Sequence, residues 1–174
     1  MILSEKLETS QKTFEKWRTL PFSERQQYLF KLADLLENNA EKFGKNITQE
    51  MNKPLSQSIA EIEKCALMAR YYGNAANILK PEKIKTEYKV SEIHYPPLGV
   101  ILGVMPWNFP FWQVLRFAVP AILAGNTVVL KHGSICFGSG KMIEKLFADA
   151  GFPKGVFQNL EIGHAEVKSV LENP

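Results

Sequence analysis

The sequence lacks features that mark several broad classes of protein. Only two of its 174 residues are cysteine, Cys65 and Cys136, which excludes a disulfide framework and fits a reducing cytoplasm. No apolar run approaches the roughly 18–20 residues that a membrane helix needs, and the N-terminus has no apolar core of a signal peptide. The net charge of +3 is small and the charges are dispersed, so neither nucleic acid nor a membrane is expected as a partner.

Two ligand-binding patterns are also missing. No Gly-x-Gly-x-x-Gly follows the first strand-like run, so the common dinucleotide fingerprint is absent. The three histidines, His94, His132 and His164, are too widely spaced to indicate a metal site. Function has to be sought in other polar residues.

The first part of the chain, residues 1–80, has a helical pattern. Ser23-Glu24-Arg25-Gln26 has the order of a capping box, and apolar residues then recur at helical spacing up to Gly44, a predicted helix end. A second helix is predicted to begin near Pro54 and to end at Pro81. Both helices are expected to pack against a core.

Residues 81–97 change to a short alternating pattern that predicts two strands or a hairpin. Residues 98–174 then alternate between strand and helix patterns, which is typical of a parallel sheet built from βαβ units. The predicted strands lie near 99–105, 127–131 and 156–160, and the predicted helices near 110–124, 138–150 and 164–172. The expected fold is α/β: a partial Rossmann-like parallel sheet preceded by N-terminal helices and a β-hairpin.

Two polar residues stand where predicted strands end. Asn108 follows the run 100–105 and a Pro-Trp pair, and Lys131 ends the run 127–130. Ligands of open α/β sheets bind at the carboxyl ends of strands. The Asn108 amide either caps the next helix or donates an N–H to negative charge that develops in a reaction. The Lys131 ammonium either binds ribose hydroxyls or a phosphate, or is a solvated surface group.

These segments resemble the aldehyde dehydrogenase family. Pro106-Trp-Asn-Phe-Pro110 resembles that family's amide-bearing motif, and residues 120–131 resemble the segment that holds the adenosine ribose of its cofactor. The similarity extends over most of the chain, through Glu24-Arg25, Lys53-Pro54, Tyr95–Val100 and Gly151–Gly155.

The resemblance implies oxidation of an aldehyde to a carboxylic acid with NAD or NADP. Asn108 would then hold the oxyanion, and Lys131 and the backbone of Met105, Pro106 and Trp107 would contact the cofactor. The family's nucleophilic cysteine and general-base glutamate are expected beyond residue 174. The chain alone is therefore expected to be inactive.

Particular residues are similar to the succinate-semialdehyde dehydrogenase branch. Arg116, with Trp112 on a similar face of the predicted helix, implies a subsite for a distal carboxylate on the aldehyde substrate. The alternative for Arg116 is pairing with an acidic neighbour inside an oligomer. Ser134 stands where the family often has a glutamate that repels a 2′-phosphate, so NADP is as plausible as NAD.

The same family joins the region of residues 81–97 to an oligomerisation sheet. This implies a homo-oligomer, or contact with a missing C-terminal half, while a local hairpin on the monomer is the alternative. Two further interpretations stay open: a non-catalytic module that binds a nucleotide or caps an oligomer, and an unstable fragment with an exposed sheet edge.

Overall fold

Four helices precede the sheet in the computed structural model, which describes residues 3–77 and 79–173. Within those residues, none of the helices has the length and apolarity needed to cross a membrane. The elements follow in this order: α1 (Leu3–Trp17), α2 (Phe22–Asn38), α3 (Ala40–Met51), α4 (Leu55–Asn74), β1 (Glu82–Lys83), β2 (Glu92–Ile93), β3 (Val100–Met105), α5 (Trp112–Leu123), β4 (Thr127–His132), a 3₁₀ turn (Ser134–Cys136), α6 (Phe137–Asp149), β5 (Phe157–Leu160) and α7 (Val167–Leu171).

The central sheet is parallel and has the strand order β3-β4-β5. All six residues of β4 are buried, as expected for a central strand whose two faces are both covered. Val128 and Leu130 pack into the larger core with α2, α4, α5 and α6, whereas Val129 packs with Leu7 of α1 on the other face. The predicted α/β fold and its strand–helix alternation are confirmed.

A turn before β4 also sets the start of β3. Gly125 has a φ of +103°, and Asn126 follows it. The Asn126 side-chain oxygen accepts hydrogen bonds from the backbone N–H groups of Leu98 and Gly99, at 2.7 and 3.1 Å. One asparagine therefore aligns the beginnings of two strands whose opposite ends carry the site residues.

Three predictions about the N-terminal helices were wrong. Ser23–Gln26 is not a capping box, because α2 begins at Phe22 and the Gln26 amide donates instead to the carbonyls of Tyr72 and Ala75. Gly44 does not end a helix, since it lies inside α3, where its lack of a side chain allows close packing against Ile59.

The third error concerns the end of α4. The helix begins one residue after Pro54, as expected, but it ends at Asn74 and not at Pro81. Leu79, which a helix reaching Pro81 would include, therefore lies outside α4. The helix α3, by contrast, ends at a local signal, since its C-cap Asn52 has a left-handed φ of 56°.

The strand prediction for residues 81–97 is confirmed as a short antiparallel pair. Glu82 pairs with Ile93 and Lys83 with Glu92, and the four strand residues are exposed. Large apolar side chains of this region are also exposed, including Tyr88 at 73% and Val90 at 74%. The hairpin thus adds little to the core of this chain.

Gly140 in α6 generates a stability prediction. A Cβ at this position would lie 2.5 Å from the Asn159 side-chain oxygen, and both polar atoms of that buried amide lack a hydrogen-bond partner among the described residues. We expect Gly140→Ala to lower the free energy of unfolding by about 1–3 kcal/mol because of this overlap, although alanine favours helix. Urea unfolding followed by circular dichroism measures the change.

Gly163→Ala is the matched control, since its nearest neighbouring atom would lie 3.6 Å from the new Cβ. We expect this control to change the free energy of unfolding by less than about 0.5 kcal/mol. In an Asn159→Ala background the cost of Gly140→Ala should shrink. Equal effects of the two glycine substitutions would contradict the prediction.

Candidate active site

The strand register brings two loops together at one edge of the sheet. Val104 is opposite Lys131 and Met105 is opposite His132, so the loops that follow β3 and β4 begin side by side. A Cβ on Gly133 would lie 3.4 Å from the Cβ of Trp107, which shows how closely the loops pass. The segment 105–107 and the segment 131–134 therefore line one region.

Asn108 has an exposed side chain with no hydrogen-bond partner among residues 3–77 and 79–173. It does not cap the following helix: α5 begins at Trp112, and its N-cap position is Phe111, with no side-chain cap of its own. Of the two functions considered for the amide, the structure removes the capping one. The amide N–H groups are free to meet a ligand.

The N-terminus of α5 is instead capped by a carboxylate from another helix. Glu61 of α4 is 4% exposed, and its Oε1 accepts hydrogen bonds from the backbone N–H groups of Phe111 and Trp112, each at 2.9 Å. A negative charge is favourable there because the helix dipole is positive at its N-terminus. This contact fixes the backbone three and four residues after Asn108.

Lys53 completes this buried cluster. Its Nζ lies 2.5 Å from Oε2 of Glu61, and both side chains are less than a tenth exposed. The same Nζ lies 3.9 Å from the centroid of the Phe109 ring, within the range of a cation–π contact. The ion pair therefore touches the residue that directly follows Asn108 as well as the start of α5.

His132 holds the same loop from the side of the sheet. Its Nε2 donates to the carbonyl of Pro110 at 2.9 Å, and its Nδ1 accepts from the backbone N–H of Gly133 at 2.8 Å. Because Nδ1 accepts, the ring is neutral with its proton on Nε2. Burial lowers the pKa of His132 below its ordinary value, which keeps the ring neutral.

Lys131 is a buried cation without a counter-charge. Its side chain is 1% exposed, and no hydrogen bond or ion pair joins it to another residue of the described chain. The Lys131 Nζ is not among the fully enclosed atoms without a hydrogen-bond partner, so its donors are open to the hydroxyls or the phosphate of a ligand. The side chain as a whole is enclosed by the protein, unlike that of an ordinary surface lysine. Ser134 is exposed at the start of the 3₁₀ turn that follows.

Trp112 and Arg116 lie one turn apart on α5, as predicted. Trp112 is half-buried with the Lys64 ammonium 4.0 Å from its ring centroid. It lines a cleft of about 270 Å³ together with Phe109 and residues of α4. Arg116 is exposed, does not line that cleft and has no acidic partner within the described residues.

Neither cysteine has the environment of a nucleophile. Cys65 and Cys136 are both buried. Burial raises the pKa of the Cys136 thiol to about 12, and it raises the pKa of the Cys65 thiol well above its ordinary value. Cys136 lies at the N-cap of α6, a position that tends to lower the pKa of a thiol, but desolvation by burial has the larger effect. Among the described residues no cluster of His, Cys, Asp or Glu could hold a metal ion.

Sequence reasoning did not identify Glu61 or the contacts of Lys53 and His132. Glu61 could have been noticed, because it falls among the buried positions of α4, next to Ile62 and one turn before Cys65. A carboxylate on an apolar stripe needs a partner. That signal predicts a buried polar contact, but it does not say which helix supplies it.

The chain is similar to known proteins along almost its whole length. Residues 3–174 match the aldehyde dehydrogenase family. Over 159 residues the chain is 50% identical to the probable NADP⁺ succinate-semialdehyde dehydrogenase of Synechocystis, which covers 91% of this chain and 35% of that protein. Over 161 residues it is 38% identical to the NAD(P)⁺ succinate semialdehyde dehydrogenase Sad of Escherichia coli, with 92% and 35% covered.

A solved structure agrees with the sequence comparisons. The succinic semialdehyde dehydrogenase of Streptococcus pyogenes, in complex with NADP⁺, is similar to this chain with a TM-score of 0.94 at 33% identity, over 98% of this chain and 38% of that one. The chain spans about 35% of the length of the curated relatives it matches.

The buried neutral state of His132 predicts a pH dependence of stability. Its folded pKa lies below the ordinary 6.5, so the unfolded chain binds more protons once the pH falls below that value. The contribution of His132 to the free energy of unfolding is complete above pH 6.5 and decreases as the pH falls, by at most about 1.4 kcal/mol per unit. Urea unfolding between pH 7 and 5 measures it.

In His132→Gln this part of the pH slope should disappear. The control is His164→Gln, the same substitution at an exposed histidine, and the loss of slope should be specific to His132→Gln. A slope that survives unaltered in His132→Gln would show that the ring is not held in its neutral form.

Proposed function

The chain belongs to the aldehyde dehydrogenase family, and we propose that it forms the cofactor-binding and oxyanion-binding part of an enzyme that oxidises an aldehyde to a carboxylic acid. One observation carries this proposal: the Lys131 ammonium and the Asn108 amide both lie at the same edge of the sheet, and neither has a hydrogen-bond partner among the described residues. The two free thiols support the cytoplasmic location expected from composition.

Lys131 and Ser134 are the side chains proposed to hold NADP⁺ or NAD⁺. The fit rests on the unpartnered ammonium of the buried residue Lys131, which suits ribose hydroxyls or a phosphate, and on the exposed Ser134, which carries no charge to repel a 2′-phosphate. The backbone of Met105, Pro106 and Trp107 is proposed to contact the same molecule. When bound, this cofactor would supply hydride acceptance for the oxidation.

Asn108 is proposed to stabilise the oxyanion that forms when a nucleophile attacks the aldehyde carbonyl. Its amide donates a hydrogen bond without titrating, so its contribution does not vary with pH. The backbone on both sides of its loop is fixed, at Pro110 by His132 and at Phe111 by Glu61. A fixed donor stabilises developing charge because it needs no reorganisation during the reaction.

Arg116 is the residue proposed to select the substrate. Its guanidinium is exposed and unpaired within the described chain, so it can bind a distal carboxylate bidentately. Trp112, one turn earlier on α5, is proposed to line the same substrate path. Relatives named as succinate-semialdehyde dehydrogenases support a substrate of this class.

We also propose that the 81–97 segment is an assembly surface of this family member. Its two short strands are exposed, and Tyr88 and Val90 present large apolar side chains that the chain itself leaves uncovered. The occupant would be a second copy of the chain or the remainder of the enzyme. This exposure also favours the second candidate function, a non-catalytic module that acts by oligomer contact.

Cofactor binding can be tested on the 174-residue chain. We expect millimolar NADP⁺ to shift the backbone amide resonances of Met105, Trp107 and residues 131–134 in ¹H–¹⁵N NMR spectra. Lys131→Met should weaken binding about tenfold, the loss of one charge-assisted contact. Absence of any shift in these two segments at saturating NADP⁺ would contradict the proposal.

Two variants sharpen this titration. Lys145→Met is the matched control, because Lys145 is an exposed lysine of α6 paired with Asp149, and it should bind NADP⁺ as the parent chain does. Ser134→Glu should weaken NADP⁺ binding and leave NAD⁺ binding unchanged, since only the former carries a 2′-phosphate.

The same chain is expected to produce no NADPH or NADH from succinate semialdehyde. The reason lies in its thiols, since burial raises the pKa of Cys136 to about 12 and also raises the pKa of Cys65. Absorbance at 340 nm follows the reaction. Sustained aldehyde-dependent formation of the reduced cofactor would refute this expectation, and its loss in Cys136→Ser or Cys65→Ser would identify the thiol responsible.

A further inference from the structure

The loop that carries Asn108 is attached to α4 by a buried ion pair. Glu61 accepts two backbone N–H groups from the start of α5, and Lys53 neutralises the same carboxylate. We propose that Glu61 and Lys53 are positioning residues that set the direction of the Asn108 amide. This inference rests on the proposed function of Asn108 in binding an oxyanion.

The first step of the argument is geometric. Asn108 is three residues before Phe111, and the segment between them contains Pro110, whose ring fixes its φ. Glu61 holds the N–H groups of Phe111 and Trp112, and His132 holds the carbonyl of Pro110. With Pro110 and Phe111 held in this way, the direction in which the chain leaves Asn108 is set.

The second step concerns Phe109, the residue that directly follows Asn108. Phe109 is 43% exposed, yet its ring lies over the Lys53 ammonium at 3.9 Å from centroid to Nζ. The ion pair therefore contacts the side chain that follows Asn108 and the backbone that begins α5. An ordinary helix cap would need only the second of these contacts.

The third step is electrostatic. A lone carboxylate near Asn108 would repel an oxyanion bound by that amide, and it would be costly to bury. Lys53 removes both difficulties, because its Nζ is 2.5 Å from Oε2 of Glu61 and the pair is neutral as a whole. The helix N-terminus is satisfied without leaving a net negative charge at the start of the helix that follows Asn108.

A second, partly buried glutamate that caps a helix can be compared with Glu61. Glu50 of α3 accepts hydrogen bonds from the backbone N–H and the hydroxyl of Ser139 at the start of α6. It caps its helix in the same manner, but among the described residues no hydrogen bond or ion pair joins it to Phe109 or to the N-terminus of α5, and it acts on the loop only through its charge near His132. A purely structural cap should therefore behave like Glu50.

Amide hydrogen exchange on the full 174-residue chain tests the inference. In Glu61→Gln, the amides of Phe111 and Trp112 should exchange at least about tenfold faster relative to the core amide of Leu130. In Glu50→Gln the acceleration should fall on Ser139 and spare both of these amides. Glu63→Gln, an exposed carboxylate on the same helix, should change none of them.

The NMR signals of the Asn108 side-chain NH₂ group distinguish positioning of this amide from a purely structural effect. If Glu61 only capped α5, these signals would not change in its variants. They should shift and broaden in Glu61→Gln and in Lys53→Met, and stay as in the parent chain in Glu50→Gln. The double variant Lys53→Met/Glu61→Gln should recover part of the parent spectrum, because it removes the Lys53 ammonium that Glu61→Gln alone leaves without its counter-charge. If Glu61→Gln does not fold, Glu61→Asp gives the same measurement.

Unchanged Asn108 signals in a folded Glu61 variant would overturn the inference. So would equal acceleration at Phe111, Trp112 and Leu130, because that pattern means global unfolding. The NADP⁺ titration at residues 131–134 is read separately from these signals. A failed titration with a responsive Asn108 would therefore reject the proposed function and leave the attachment of the loop to α4 established.

Discussion

The position of α5 is the constraint on which the candidate site depends, and buried side chains hold this helix at both ends. At its N-terminus the Glu61 carboxylate accepts the first free N–H groups. At its C-terminus the Trp17 indole donates to the carbonyl of Ile122 at 2.8 Å, and Arg25 donates to that of Leu123 at 2.9 Å. The negative group meets the positive end of the helix dipole and the positive group meets the negative end. Because the three side chains come from α1, α2 and α4, the N-terminal helices act as the frame of the site.

The sheet supplies a second constraint that is coupled to the first. The register of β3 and β4 places the two loops in parallel, and His132 joins them through its hydrogen bond to Pro110. Lys131 precedes His132 in the same strand. A displacement of the Asn108 loop would therefore also displace His132, which is next to Lys131, the residue proposed to bind the cofactor. Substitutions at Glu61 and at His132 should combine non-additively, since both act on one backbone segment.

The cations of the region divide into two groups. Lys53 and Lys64 are engaged within the chain, the first with Glu61 and Phe109 and the second over Trp112. Lys131 and Arg116 have no partner among the described residues, one being buried and the other exposed. Cations already paired fix the geometry, and unpaired cations remain available to anionic groups. This division supports the assignment of Lys131 to a cofactor and Arg116 to a substrate carboxylate.

The sequence by itself determined the parallel α/β architecture and the locations of Asn108 and Lys131 at strand ends, because strand periodicity and turn residues act over a few neighbours. The Pro106–Pro110 motif likewise indicated the family before any contact was known. Local patterns misjudged the start of α2, where Gln26 donates to the carbonyls of Tyr72 and Ala75 instead of capping its own helix, and the end of α4. Only the tertiary structure decided that Asn108 leaves its helix uncapped and that Glu61, fifty residues away from Phe111, caps it instead. The sequence shows that a charged residue on an apolar helix face needs a polar partner, because burying an unpaired charge is costly. It does not show which distant backbone group is that partner, because this depends on how the helices pack.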